Sequence, residues 1–431
     1  MRLTFIQRRY KYAYFWLAAL FVGASASSHS AQAQLPGLQW RASQRTFEIP
    51  FTYVNNFIIV DLYFENLFAT KFIFDTGSEY TILLHKHLAE LLKLKYDKTF
   101  KLIGSDLKTE LTAYIARNVL LNVANGERTP ILQDILVLEQ DYFHFDEYVG
   151  LPIDGILGAD VFGRFVVTID YQKQRIVLHD PAQFESPEGK KNTTTLPLEI
   201  NKGKPYLSTM LRLDPNDSTL ISTKLLLDTG ASLSLLLHRR EGDRARIRLP
   251  AQTIKTSIGR GLGGNLEGIV GRIPSLQLSK DVALTDLLVS FQDVPDSLYG
   301  NFMNDRDGIL GNQIWHRFRV TIDYARGKLF LQPNRLFKEK MTFDRSGLVI
   351  SASGKNLHTL IVQYVVANSP AAEAGIRPGD VITRIGWWST VFYSLERLQQ
   401  KLSGSVGRII KMQVWRNGQK INTQLVLRNL I

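Results

Sequence analysis

The chain has 431 residues, 45% hydrophobic and 10% aromatic, with 52 Lys and Arg against 40 Asp and Glu and no cysteine. This length and apolar content suit roughly two to four globular domains and exclude a disordered polymer, while the missing cysteines exclude disulfides, thiol nucleophiles and thiolate metal sites. The net charge of +12 comes from scattered lysines and arginines with no nucleic-acid-binding motif, and reads as a solvated basic surface rather than a nucleic-acid footprint.

Arg2, Arg8, Arg9 and Lys11 precede an apolar run over residues 12–24, and Ala31-Gln32-Ala33 follows. A positive start, a short apolar stretch and a small-residue site read as a secretory signal over 1–33, cleaved after Ala33, which places the protein in the periplasm or envelope of a bacterium. Retained instead, the segment would serve as a membrane anchor; no later stretch approaches the ~20 apolar residues of a span. Residues 46–179 then form a first block of short β-favouring runs, among them 57–64, 71–74, 135–138, 165–169 and 175–178. Helices are expected at 85–95 and 159–163. Residues 180–195 are polar and Pro-, Thr- and Lys-rich, and read as an exposed linker.

The second block, 196–331, repeats the layout of the first, with a helix expected at 312–317. Turn residues punctuate short strands in both, so each is expected to be mostly β and either closed or sandwiched. The third block, 343–431, differs. It contains Ser369-Pro370 opening a short Ala-rich helix closed by Gly375, a helical 394–402, and a hairpin turn at Asn417-Gly418. Trp387 and Trp388 read as buried packing in preference to an exposed contact patch.

Two motifs recur in one register. Asp75-Thr76-Gly77 and Asp228-Thr229-Gly230 lie 153 residues apart, as do Asp154-Gly-Ile-Leu-Gly158 and Asp307-Gly-Ile-Leu-Gly311, each followed by Val-Thr-Ile-Asp-Tyr. Asp-Thr-Gly alone is a common turn, but two copies in matching apolar surroundings point to a duplicated domain. Duplication can set two identical carboxylates across a pseudo-twofold axis, where they would share a water molecule. Two close carboxylates do not both ionise easily, so one keeps a proton; the ionised member can then take a proton from water while the protonated one polarises a carbonyl. Thr76 and Thr229 can hydrogen-bond across the axis. Gly77 and Gly230 let the loops turn tightly. Ser78 can donate to its carboxylate whereas Ala231 cannot, so the two aspartates are expected to differ in proton affinity, with activity extending towards neutral pH. Asp154, Asp170, Asp307 and Asp323 read as turn and strand-end residues. His85 and His87 lack a third ligand at a convincing spacing, so no metal and no other cofactor is expected.

On these residues the first two blocks resemble the halves of a retropepsin-like aspartic peptidase fused in one chain: Xaa-Xaa-Asp-Thr-Gly-Ser/Ala, then an apolar-apolar-Gly element about eighty residues on. The resemblance implies two β-barrel lobes related by a pseudo-twofold, with Asp75 and Asp228 as the catalytic dyad acting on a polypeptide substrate. Thr76 and Thr229 would interlock, with Gly77, Ser78, Gly230 and Ala231 in support. It also implies a glycine-rich flap, for which Gly259, Gly261, Gly263 and Gly264 are candidates; the first block offers only 102–105. The third block is similar to a PDZ domain of the circularly permuted form found on bacterial envelope proteases, through Ser369-Pro-Ala-Ala-Glu-Ala-Gly-Ile-Arg-Pro-Gly-Asp-Val-Ile382. It implies strand addition of a peptide, with its terminal carboxylate at Ser346-Gly347-Leu348. The reading from another functional class is a peptide-binding adaptor of the envelope that holds extended chains without cutting them.

Overall fold

The computed structural model describes residues 46–64, 68–103, 110–123, 130–261, 264–296 and 306–431. The expected signal at 1–33, the flap candidate Gly263, and Gly104 and Ser105 of the first block lie outside them. Among the described residues, no helix is long and apolar enough to cross a membrane.

The first lobe begins with β1 (Thr46–Val54), which turns through Asn55 and Asn56, both at positive φ, into β2 (Phe57–Phe64). Strands β3 (Phe68–Phe74), β4 (Ile82–Leu83), β5 (Tyr96–Ile103), β6 (Glu110–Val123), β7 (Pro130–Leu138) and β8 (Gly155–Leu157) follow. Their spatial order is β2-β3-β8-β4-β7-β6-β5, and β6 pairs back to β2, so the sheet closes on itself. The second lobe repeats this order with β13 (Lys204–Arg212), β14 (Ile221–Leu227), β19 (Gly308–Leu310), β15 (Leu235–Arg240), β18 (Ala283–Val294), β17 (Gly264–Gln277) and β16 (Thr253–Gly261), closed by β13 pairing with β17. Strand β12 (Glu199–Asn201) feeds β13 through Lys202-Gly203. Glycine opens β8 and β19 because these strands thread between two neighbours: a Cβ on Gly155 would lie 2.5 Å from the Ile82 carbonyl oxygen, and one on Gly308 2.0 Å from that of Leu236.

A shared antiparallel layer joins the lobes. It runs β11 (Thr194–Pro197), β21 (Lys328–Pro333), β20 (Phe318–Asp323), β9 (Val166–Asp170), β10 (Arg175–His179), β1. At its centre Thr168 faces Thr321 with their hydroxyls 2.9 Å apart. These are the same position of the two repeats, so the pseudo-twofold passes between them. Val167, Ile169, Val320 and Ile322 from these strands enter one continuous core that spans both lobes, which is why the Val-Thr-Ile-Asp segments recur. Asp154 and Asp307 hold strand ends, accepting from the Lys71 and Lys224 amides at 2.8 and 2.9 Å.

The helices are short. α1 (Lys86–Leu91) stops before the expected end because Lys93 takes a left-handed conformation. α3 (Ala159–Phe162) and α4 (Asn312–Trp315) each follow a Gly-Ile-Leu-Gly segment. No helical pattern was expected where α2 (Phe145–Val149) forms, bracketed by left-handed His144 and Gly150.

The third unit is a separate sheet, β22 (Leu348–Ser353), β23 (Thr359–Val365), β24 (Val381–Ile385), β26 (Ile409–Arg416) and β27 (Gln419–Val426), with β25 (Trp388–Ser389) against β24. α5 (Pro370–Glu373) is capped by Ser369 and α6 (Leu395–Leu402) by Ser394, each hydroxyl accepting an amide three residues on. Leu395, Leu398 and Leu402 pack into its own core. Trp387 and Trp388 are 88% and 64% exposed, against the expected burial: they lie on the turn at Gly386 and the short strand β25 that follows it. Strand β22 is an edge strand, and α2 of the first lobe packs against it and against α6; a Cβ on Gly150 would lie 3.2 Å from the Leu395 Cβ.

Candidate active site

Asp75 and Asp228 immediately follow the central strands β3 and β14, and their amides donate to Leu157 and Leu310 carbonyls at 3.0 Å. The Gly-Ile-Leu-Gly segments therefore support the two Asp-Thr-Gly loops from below. Thr76 and Thr229, both fully buried, interlock across the axis. The Thr76 amide donates to Thr229 Oγ1 and the Thr229 amide to Thr76 Oγ1, each at 3.0 Å. The hydroxyls in turn donate to Leu227 O and Phe74 O at 2.8 Å.

This clasp leaves the two carboxyl groups face to face. Gly77 and Gly230 donate to Oδ1 of their own aspartates at 2.7 and 2.8 Å. A Cβ on Gly77 would lie 2.6 Å from Asp228 Cγ, and one on Gly230 2.3 Å from Asp75 Cγ. Each loop's glycine is thus the surface on which the opposite carboxyl rests, and only glycine permits that approach. The two carboxyl groups therefore face each other across the axis, close enough for the charge of one to act on the other.

Burial raises the pKa of both aspartates, and Asp75 is pushed well above the carboxylate range because the Asp228 charge adds to it. On Asp228 the rise is opposed by the hydrogen bond from Asp75 and then by the positive charge of Arg306. Burial and mutual repulsion thus favour a pair that keeps one proton between its two carboxyl groups. The Ser78 hydroxyl plays no part in this: it donates to the Tyr80 carbonyl at 2.8 Å and has no second proton to give. Each carboxyl instead receives a backbone amide of its own loop, from Gly77 or from Gly230. The expected Ser78/Ala231 asymmetry is thus replaced by one from Arg306. Gly259, Gly261 and Gly264 lie on the β16–β17 hairpin, Gly261 opposite Gly264 beyond a bulge at Ser257/Gly259.

Residues 215–314 match the family model described as Aspartyl protease, and residues 361–416 match that of the PDZ domain. The chain joins an aspartyl-protease domain to a PDZ domain. No curated protein matches it. Among solved structures, Basic 7S globulin from soybean is similar at a TM-score of 0.42 and 10% identity, over 69% of this chain and 97% of that one. The aspartic proteinase from Irpex lacteus is similar at 0.41 and 14%, over 68% and 99%.

In the PDZ domain the amides expected to receive a peptide carboxylate are already engaged. Asp344 Oδ1 accepts from the Ser346 and Gly347 amides at 2.9 and 2.6 Å and from the Ser346 hydroxyl at 2.8 Å, while the Leu348 amide donates to Ser346 Oγ at 3.1 Å. The reason is local: a carboxylate two residues ahead of a turn reaches its amides without help. Burial raises the Asp344 pKa to about 6 against those hydrogen bonds. With α2 against β22, both the carboxylate loop and the adjoining strand edge are covered by the chain itself.

Three further site residues left no mark in the motifs. Asn312 Nδ2 donates to the Thr229 and Asn56 carbonyls at 2.5 and 2.8 Å, and its Oδ1 accepts from Tyr171 Oη at 2.7 Å. It ties the second loop to the first lobe; its counterpart in the first repeat is Ala159, and that Gly-Ala/Gly-Asn difference was the available signal. The other two, Lys204 and Arg306, sit beside the dyad.

Proposed function

We propose that the chain is an exported aspartic endopeptidase whose dyad is Asp75 and Asp228. The observation that carries this reading is the pair of buried carboxyl groups set face to face by crossed threonines, an arrangement in which one proton is shared. With a peptide in the cleft and a water between the carboxyl groups, the ionised aspartate takes a proton from the water as the water oxygen attacks the scissile carbonyl carbon. The protonated aspartate gives its proton to the carbonyl oxygen, forming a tetrahedral diol. Return of a proton to the amide nitrogen then breaks the C–N bond and restores the pair. In this reading residues 1–33 direct export, and the PDZ domain takes a peptide terminus once Asp344 and α2 yield.

The test is incubation of the full chain with a mixed peptide library at mildly acidic pH, with and without a non-cleavable mimic of the tetrahedral diol. Internal cleavage that the mimic suppresses is the expected result; an uncut library would end the proposal.

For the PDZ domain, Asp344→Ala is expected to strengthen binding of a free C-terminal peptide by about tenfold or more, because unpaired amides are costly and a ligand carboxylate satisfies them. In the parent, affinity should rise as pH falls through about 6, since protonation removes the Asp344 charge that repels the ligand. Fluorescence anisotropy with a labelled peptide measures both. Affinity that is indifferent to pH and to the substitution would show that this loop is not the carboxylate seat.

A further inference from the structure

The two lobes share a fold but differ in what stands beside each aspartate. In the register of β13 and β14, Tyr206 faces Leu226, so Lys204 lies level with Asp228. In the first lobe Ile59 faces Ile73, which puts Phe57 at the corresponding place. One further position differs in the same way: Ile153 precedes the first Asp-Gly-Ile-Leu-Gly and Arg306 the second. Phe57 and Ile153 belong to a buried apolar cluster, with Phe57 edge-on to Phe145 at 6.1 Å between ring centroids. The second lobe replaces both by cations.

These cations are poorly compensated. Lys204 is 1% exposed, and among the described residues its ammonium makes no hydrogen bond or ion pair. Arg306 Nε is buried without a partner, and so is Glu79 Oε2 from the loop that carries Asp75. Lys204 lies within electrostatic range of Arg306, Glu79, Lys202 and Asp75, and Arg306 within range of Asp228. Burying a cation without acceptors costs several kcal/mol, and a guanidinium offers a planar fork of donors matched to a carboxylate. Glu79 and the singly charged dyad lie nearby, but their oxygens do not reach either cation.

We infer that Lys204 and Arg306 form a carboxylate-binding subsite beside Asp228, selecting a substrate with an acidic group next to the scissile bond on the side of the second lobe. The inference rests on the peptidase reading above and narrows its substrate class. The acidic group is either an Asp or Glu side chain or a chain-terminal carboxylate.

The test uses peptide pairs built on a cleaved sequence. They carry Glu or Gln at each position flanking the scissile bond, with free or amidated C-termini. The parent is expected to favour Glu over Gln, or the free over the amidated terminus, by tenfold or more in kcat/KM at one position; which pair responds identifies the source of the carboxylate. In Lys204→Phe, Arg306→Ile and the double variant, which carry the first lobe's own residues, that ratio is expected to fall towards one. A role confined to tuning the dyad would change both members of a pair alike, shift the pH profile and leave the ratio, which would overturn the inference. So would a parent with no preference. If no peptide is cut, the peptidase reading fails separately, and anisotropy of the same pairs bound to the parent and to Lys204→Phe decides the subsite: a Glu preference lost in the variant supports it, equal binding overturns it.

Discussion

Asp228→Asn and Asp75→Asn are each expected to lower kcat/KM for a cleaved peptide by about 10²–10⁴-fold, the range supplied by a positioned proton donor or acceptor. Asparagine keeps the shape of the side chain and the amide bonds from Gly77 or Gly230, but it cannot exchange the shared proton. Stability should move the other way. Both aspartates have raised folded-state pKa values, chiefly from burial, so their contribution to stability is fully present below the unfolded carboxylate pKa and is lost as pH rises through the folded values. At neutral pH folding of the parent therefore bears the cost of retaining a proton that the unfolded carboxyl group would release, a cost that asparagine removes. Each variant should melt at or above the parent temperature at neutral pH, the difference shrinking on acidification. Peptide assays and melts at two pH values check both halves. Cleavage persisting in both variants would remove the dyad from the mechanism.

The second large effect is structural. Thr76→Val or Thr229→Val keeps the side-chain shape and deletes a hydroxyl that both accepts and donates across the axis. Each change strands a buried amide and a buried carbonyl, at about 1–3 kcal/mol per unsatisfied group, so several kcal/mol are at stake in each. Because the carboxyl groups are aimed by these loops, activity should fall with stability. Thr→Ser at either position retains the hydroxyl and should recover most of both. Urea unfolding of the four variants measures this; valine variants as stable as the parent would show that the clasp contributes nothing. The double valine variant is expected to lose less than the sum of the singles, since the two hydroxyls share one network.

What could be read in advance depended on repetition. Asp75, Asp228, Thr76 and Thr229 were legible because two copies in one register expose positions whose partners lie 153 residues away. The PDZ-like third block was legible through local signals: Ser369-Pro370, Ser394 and Asn417-Gly418 act on their own neighbours. Features set by tertiary contact were not. The Ser78 hydroxyl had two acceptors within reach in the sequence, and loop geometry chose Tyr80 O. Helix α2 is one turn long between two left-handed residues, too short for a periodic pattern. Lys204 and Arg306 stand out only when each lobe is laid on its twin, where Phe57 and Ile153 are the residues they replace. Asp344 was not singled out, because its occupancy of the Ser346 and Gly347 amides is set by the turn itself.

The most direct measurement compares two non-cleavable peptide mimics, identical except that one carries a hydroxyl where the attacked carbonyl would be and the other a hydrogen. If Asp75 and Asp228 hold one proton and embrace a single oxygen, the hydroxyl compound should bind the parent at least about 100-fold more tightly, the lower end for transition-state mimics. The advantage should vanish in Asp75→Asn. Equal binding of the two compounds by the parent would contradict the account.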